Sequence, residues 1–219
     1  MLTGFQIPGL VNNALCNGIK PFVTSTVKVM CPSAPKTVDF NMYGFAVEGN
    51  NWFNQDTTED LPSAVKIVEG YIQDMIREGI DSRNIVLVGM SQGGALALYT
   101  ALNTNYELGG VVGIITWLPR LGNGMDNGPV ELPENKGSVI NAWTPVLHIN
   151  GRQDTVVTVK DGESTRDALR KAMPDYTFKT FWGGHKRLIA NPWTIREIIK
   201  WLDQKTNVDV RLCWIPFLC

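Results

Sequence analysis

The sequence predicts an α/β fold: a mostly parallel central sheet with helices on both faces. Strand-like and helix-like patterns alternate from about residue 27 onward, the order that builds a parallel sheet through helical crossovers. The chain has 219 residues, within the range of one hydrophobic core, so residues 1–219 are expected to form a single domain. Its composition, 44% hydrophobic and 19% charged, is that of a globular protein.

Residues 27–31 read as a short buried strand stopped by Pro32, followed by an irregular stretch to Thr58 that is rich in Gly and Asn. Pro62 suits the first turn of a helix, and Val65, Val68, Ile72, Met75 and Ile76 repeat at helical spacing up to a stop at Gly79. Residues 85–88 form a run of β-branched residues and Leu, and residues 95–102 are rich in Ala and Leu, so a strand is followed by a tight turn and a helix. Residues 111–116 and 145–149 read as further buried strands, with a loop over 119–137 between them. Residues 176–181 give a later strand. Asn191 and Pro192 then open a last helix whose inward stripe is Ile195, Ile198, Ile199 and Leu202. Residues 1–26 form a divergent N-terminal segment, and the tail over 206–219 has no evident role.

Charge excludes some partners. A net charge of -1 and a pI near 6.1 leave no surplus of Lys and Arg for phosphates, which argues against nucleic acid. Cys16, Cys31, Cys213 and Cys219 form no CxxC pair and stand near no His at metal-ligand spacing, so neither a zinc site nor a disulfide framework is expected. Residues 1–19 lack Lys and Arg and are broken by Gly and Pro, so a secretory signal fits poorly. The longest apolar segment, near residues 111–118, is too short to cross a bilayer. The expectation is a cytoplasmic protein with no stable membrane insertion, no metal and no cofactor; a homodimer stays open.

Gly89-Met90-Ser91-Gln92-Gly93 is a GxSxG sequence placed between the strand at 85–88 and the Ala/Leu-rich helix. In such an elbow the serine sits on a strained turn where neighbouring backbones approach too closely for a Cβ, which is the use of Gly89 and Gly93. The helix start behind it offers free N–H groups and a positive dipole end, so the Gln92 N–H is a candidate oxyanion donor.

A serine hydroxyl needs a base, and the chain has just two histidines, His148 and His185. The α/β-hydrolase chain order is Ser, acid, His, and His185 follows a strand in the loop Trp182-Gly183-Gly184-His185. His148 lies mid-strand and reads as a packed, hydrogen-bonded core residue. The acid belongs in a loop after a strand, where Gly151-Arg152-Gln153-Asp154 places Asp154. Asp126 lacks a preceding strand and Asp161 reads as part of a helix start. Ser91, Asp154 and His185 are therefore the candidate catalytic residues of a serine hydrolase with an α/β-hydrolase fold.

Several segments resemble the acyl-protein thioesterase and carboxylesterase family of α/β-hydrolases, which includes small lysophospholipases. They are Met30-Cys31-Pro32-Ser33-Ala34-Pro35, Asn51-Trp52-Phe53, the elbow continued through residue 102, Thr116-Trp117-Leu118-Pro119, the Asp154 loop with Val156 and Val157, and the His185 loop. The resemblance implies cleavage of thioesters and oxygen esters of acyl chains, an acyl ester or acylated protein as substrate, and substrate-binding roles for Trp52, Trp117 and Leu118. As bare residues, these aromatics also read as core. The family's HGxGD-type loop, source of a second oxyanion donor, has no counterpart: residues 1–26 contain no His. Either a remodelled turn near Pro8-Gly9-Leu10 donates instead, or the N-terminal part is truncated or spliced. The rival to an active esterase is then an impaired hydrolase-fold protein that binds acyl groups or partners without turnover.

Overall fold

The computed structural model describes residues 12–42, 45–119, 140–185 and 191–210. Its centre is a four-stranded parallel sheet of β3 (Val86–Met90), β4 (Gly110–Ile114), β5 (Val146–Gly151) and β6 (Tyr176–Phe181), in the order β3-β4-β5-β6. The register pairs Val86 with Gly110, Val111 with Val146, and Val146 with Tyr176. β3, β4 and the greater part of β5 are buried apolar runs, as strands covered on both faces must be.

The covering helices are α1 (Asn12–Ile19), α2 (Leu61–Arg77), α3 (Gln92–Asn103), α4 (Val159–Leu169) and α5 (Pro192–Lys205). Two glycines of β4 show that they lie on both faces. A Cβ on Gly110 would come within 2.9 Å of the Trp201 ring of α5, and one on Gly113 within 3.5 Å of Leu98 of α3. Positions three apart on a strand point to opposite sides, so α5 and α3 take opposite faces. α2 and α5 each present one apolar stripe inward, whereas α3 is buried on nearly every side. The stripe of α2 is Leu61, Ala64, Val65, Val68 and Ile72; that of α5 is Ile195, Ile198, Ile199, Trp201 and Leu202. Burying each such Leu or Ile contributes about 1.5–3 kcal/mol.

The helix starts follow the local rules. The Asn191 side chain accepts from the Trp193 N–H at 3.0 Å and caps α5 before Pro192. Thr158 caps α4, and Asp161 completes a capping box with it, so Asp161 does belong to a helix start.

Three expectations change. Residues 27–31 form no strand: Val27 and Val29 pack against the core without a ladder partner among the described residues. A cavity of about 510 Å³ is lined by this stretch and by Val86 and Val88 of β3. A short apolar run packed on a core has the same pattern as a strand paired within it, which is why sequence misreads it. The stretch read as irregular instead contains an antiparallel hairpin, β1 (Lys36–Met42) with β2 (Phe45–Asn51), registered from Lys36 opposite Asn51 to Met42 opposite Phe45. Cys16 and Cys31 are joined in a disulfide, Cα atoms 6.5 Å apart, which overturns the expectation of none. Local spacing carries no signal for a bridge that forms when α1 folds against the segment before β1.

The start of the tail has a place after all. Val210 bridges to Val23, and the Asp209 carboxylate accepts from Thr24 Oγ1 at 2.9 Å. No helix among the described residues is long and apolar enough to cross a membrane.

The disulfide gives the first testable outcome. It closes a separation of 15 residues, and tethering a loop of that size stabilises by about 3 kcal/mol through the unfolded chain. Cys31→Ser, or reduction of the native protein, is expected to lower the unfolding free energy by about that amount in a urea titration, with an unchanged far-ultraviolet circular dichroism spectrum.

Candidate active site

Ser91 joins β3 to α3 with φ 52° and ψ −124°, a conformation that L-residues avoid. Its strain is fixed by close packing. A Cβ on Gly89 would stand 2.2 Å from the Gly93 carbonyl oxygen, so the strand and the first helical turn meet only because Gly89 has none. Gly94, not singled out in the sequence, is equally constrained, since its Cβ would lie 2.8 Å from Thr116 Cβ and 2.9 Å from the Gly89 carbonyl. The Ser91 N–H donates to the Ile114 carbonyl at 2.8 Å, and its own carbonyl accepts from Ala95 N–H at 3.0 Å and Thr116 Oγ1 at 2.9 Å. The backbone is thereby held on three sides, and the residue is largely buried, 9% exposed.

Gln92 opens α3, so its N–H lies outside the helix's own ladder and at the positive end of its dipole. Its side chain does something the sequence did not reveal. Oε1 accepts from the Trp52 N–H at 2.7 Å and Nε2 donates to the Phe53 carbonyl at 2.9 Å, clamping the end of the β2 segment to the elbow.

Asp154 and His185 are brought together from the turns after β5 and β6. His185 Nδ1 lies 2.9 Å from Asp154 Oδ2, with the aspartate side chain fully buried and the imidazole 24% exposed. Asp154 Oδ1 accepts from the N–H groups of Val156 and Val157 at 2.8 and 2.9 Å, which folds the turn around the carboxylate. Burial alone would raise this carboxyl; the hydrogen bonds from His185 and the two amides outweigh it and hold the pKa below the ordinary value. An ionised Asp154 fixes the proton of His185 on Nδ1 and leaves Nε2 as the free acceptor. Among the described residues no hydrogen bond joins Ser91 Oγ to His185.

His148 is fully buried on β5, beneath this site. Its Nε2 faces two oxygens, Asn150 Oδ1 at 2.8 Å and the Thr116 carbonyl at 3.1 Å, and so must carry the proton. Nδ1 then accepts from the Tyr176 hydroxyl at 2.6 Å. Burial pushes the pKa of His148 down to about 4, against the weaker opposing pull of its Asn150 and Thr116 hydrogen bonds.

Trp52, Trp117 and Leu118, expected at the substrate, lie in the core: Trp52 has no exposed surface, and Trp117 and Leu118 are nearly as buried. The Leu118 N–H donates to Thr165 Oγ1 at 2.8 Å, tying the strand end to α4. The turn at Pro8-Gly9-Leu10, Asp126 and the greater part of the 119–137 loop lie outside the described residues.

A strained serine elbow between strand and helix, with an Asp–His pair delivered by the turns after β5 and β6 of the same sheet, defines an α/β-hydrolase. The chain belongs to the phospholipase/carboxylesterase family, whose model matches residues 13–202. It is 32% identical over 149 residues to acyl-protein thioesterase 1 of Kluyveromyces lactis, covering 66% of this chain and 59% of that protein. It is 30% identical over 194 residues to acyl-protein thioesterase 1 of Gibberella zeae, covering 82% of this chain and 77% of that one. The structure of Arabidopsis thaliana SOBER1 superposes with a TM-score of 0.70 at 25% identity, covering 93% of this chain and 96% of the other. The Bacillus cereus carboxylesterase shares the fold, with a TM-score of 0.66 at 19% identity over 93% of this chain and 86% of that one.

The buried neutral histidine has a measurable consequence. Its folded pKa is depressed, so between its ordinary value of 6.5 and about 4 the unfolded chain takes up a proton that the folded chain refuses. The stability contributed is complete above pH 6.5 and is lost as pH falls towards 4, at a slope approaching about 1.4 kcal/mol per pH unit. Urea unfolding of the native protein and of His148→Gln at pH 7 and pH 4.5 is expected to show the steeper loss in the native protein; equal losses would place the proton elsewhere.

Proposed function

We propose that the chain is a serine esterase acting on acyl thioesters and carboxylic esters, with Ser91 as nucleophile. The observation that carries this is the strained elbow of Ser91 at the end of β3 combined with the 2.9 Å Asp154–His185 pair at the ends of β5 and β6. Ser91 Oγ attacks the acyl carbonyl carbon while its proton passes to His185 Nε2. Asp154 stabilises the imidazolium without taking the proton. The carbonyl oxygen, now an oxyanion, accepts from the Gln92 N–H. Collapse breaks the bond to the thiol or alcohol, which leaves with the proton from His185, and a water deprotonated by the same imidazole then releases the acid.

The rim of the site favours apolar acyl groups. Trp182, on the loop of His185, is 73% exposed, and Val156, on the loop of Asp154, is 58% exposed. Large apolar side chains held in solvent on the two loops that carry the acid and the base are surface an acyl chain can cover. The names of the thioesterase relatives point the same way, towards acylated protein as a substrate.

Ser91→Ala is expected to lower hydrolysis of a p-nitrophenyl acyl ester by on the order of 10⁴-fold or more while leaving the fold intact. The same substitution should abolish labelling by a fluorophosphonate. His185→Ala should be comparably damaging. Turnover that persists in folded Ser91→Ala would remove Ser91 from the chemistry, and comparing an S-acyl with an O-acyl substrate of equal chain length would rank the two ester classes.

A further inference from the structure

The buried polar groups under the sheet's C-terminal edge form one connected set, and its two ends are the two halves of the candidate site. The order is fixed by donor and acceptor chemistry. Tyr176 O–H donates to His148 Nδ1, and His148 Nε2–H donates to Asn150 Oδ1 and the Thr116 carbonyl. Asn150 Oδ1 also accepts from the Thr116 N–H at 3.2 Å, which leaves Asn150 Nδ2 to donate to the Thr158 carbonyl at 3.2 Å. Thr116 Oγ1 reaches the Ser91 carbonyl at 2.9 Å. Thr158 caps α4 and ends the turn that Asp154 Oδ1 closes through Val156 and Val157.

We propose that His148 and Asn150 are positioning residues that set the Ser91 elbow and the Asp154 turn in register with one another. The inference rests on the esterase reading and deepens it. Neither residue is placed against a substrate, and both act through the backbone. His148 and Asn150 hold Thr116 by its carbonyl and its N–H, and Thr116 holds Ser91; Asn150, and not His148, also reaches Thr158, whose carbonyl it shares with the Gly162 N–H. Thr116 needs this support because Ile115, just before it, has φ 44°, a conformation a β-branched residue adopts only when its surroundings impose it. Gly162 of α4 makes room for the Asn150 amide, since a Cβ there would stand 2.6 Å from Nδ2. Asn150 thus fills a slot cleared for it between β5 and α4.

The proposal separates from simple packing because it needs a donor, and not merely volume, at position 148. His148→Leu keeps an apolar filler and removes the donor to Thr116 and Asn150. It is expected to lower kcat for a p-nitrophenyl acyl ester by about 10- to 100-fold, the cost of misplacing reacting groups by about an ångström, with KM within about twofold. His148→Gln restores an amide donor in the same direction and should recover most of that loss. Thr116→Val keeps the side-chain shape, removes the bond to the Ser91 carbonyl, and should lower kcat in the same manner. If His148→Leu fails to fold, Thr116→Val decides by itself. Folded His148→Leu or Thr116→Val proteins that lose thermal stability yet keep kcat within about twofold of native overturn the hub and leave the esterase reading intact. A native protein that neither hydrolyses the ester nor labels at Ser91 with a fluorophosphonate overturns the esterase reading, and the hub with it.

Discussion

The structure turns on a backbone conformation that its own residue disfavours. A serine at φ 52° and ψ −124° costs about 1–3 kcal/mol and persists only where its surroundings leave it no alternative. Here they leave none. The Gly93 carbonyl rests where a Cβ of Gly89 would be, Gly94 is pressed against Thr116, and the Ser91 N–H and carbonyl are both engaged. Relaxing Ser91 would mean separating α3 from β3 and β4, and with them the buried faces of Leu96, Leu98 and Ala101. The strain is small beside the burial that holds it.

The same end of the sheet supplies the residues of the candidate site. Ser91 follows β3, Thr116 follows β4, Asp154 follows β5 and His185 follows β6. A parallel sheet with helical crossovers gathers the turns after its strands along one edge, and neighbouring strands put neighbouring turns side by side. The Asp154–His185 contact joins residues 31 apart in the chain through the simple adjacency of β5 and β6.

The two histidines show how environment decides role. His185 sits in a glycine-bearing loop, partly exposed, with an ionised carboxylate on one nitrogen and no partner on the other among the described residues. His148 is fully buried with both nitrogens engaged by uncharged partners, which keeps it neutral and fixes one tautomer. One arrangement suits proton transfer, and the other suits holding other groups still.

The sequence by itself determined the parallel strands, the helices α2, α3 and α5, the Asn191 cap, the elbow at Ser91, and His185 rather than His148 as the candidate base, because each is written in short-range pattern: apolar runs, helical periodicity, Asn-Pro caps, and glycines around a serine between strand and helix. The tertiary structure alone decided what depends on neighbours distant in the chain. The Cys16–Cys31 bridge, the hairpin of β1 and β2, and the absence of a strand over 27–31 depend on which segments meet, and apolar content does not encode that. Trp52 and Trp117 became core residues for the same reason, since an aromatic side chain suits a groove and an interior equally well until the packing around it is known. The hydrogen bonds of Thr116, Asn150 and Thr158 were not legible in the sequence, because a hydroxyl or an amide acquires its partners only from the donors and acceptors that folding sets opposite it.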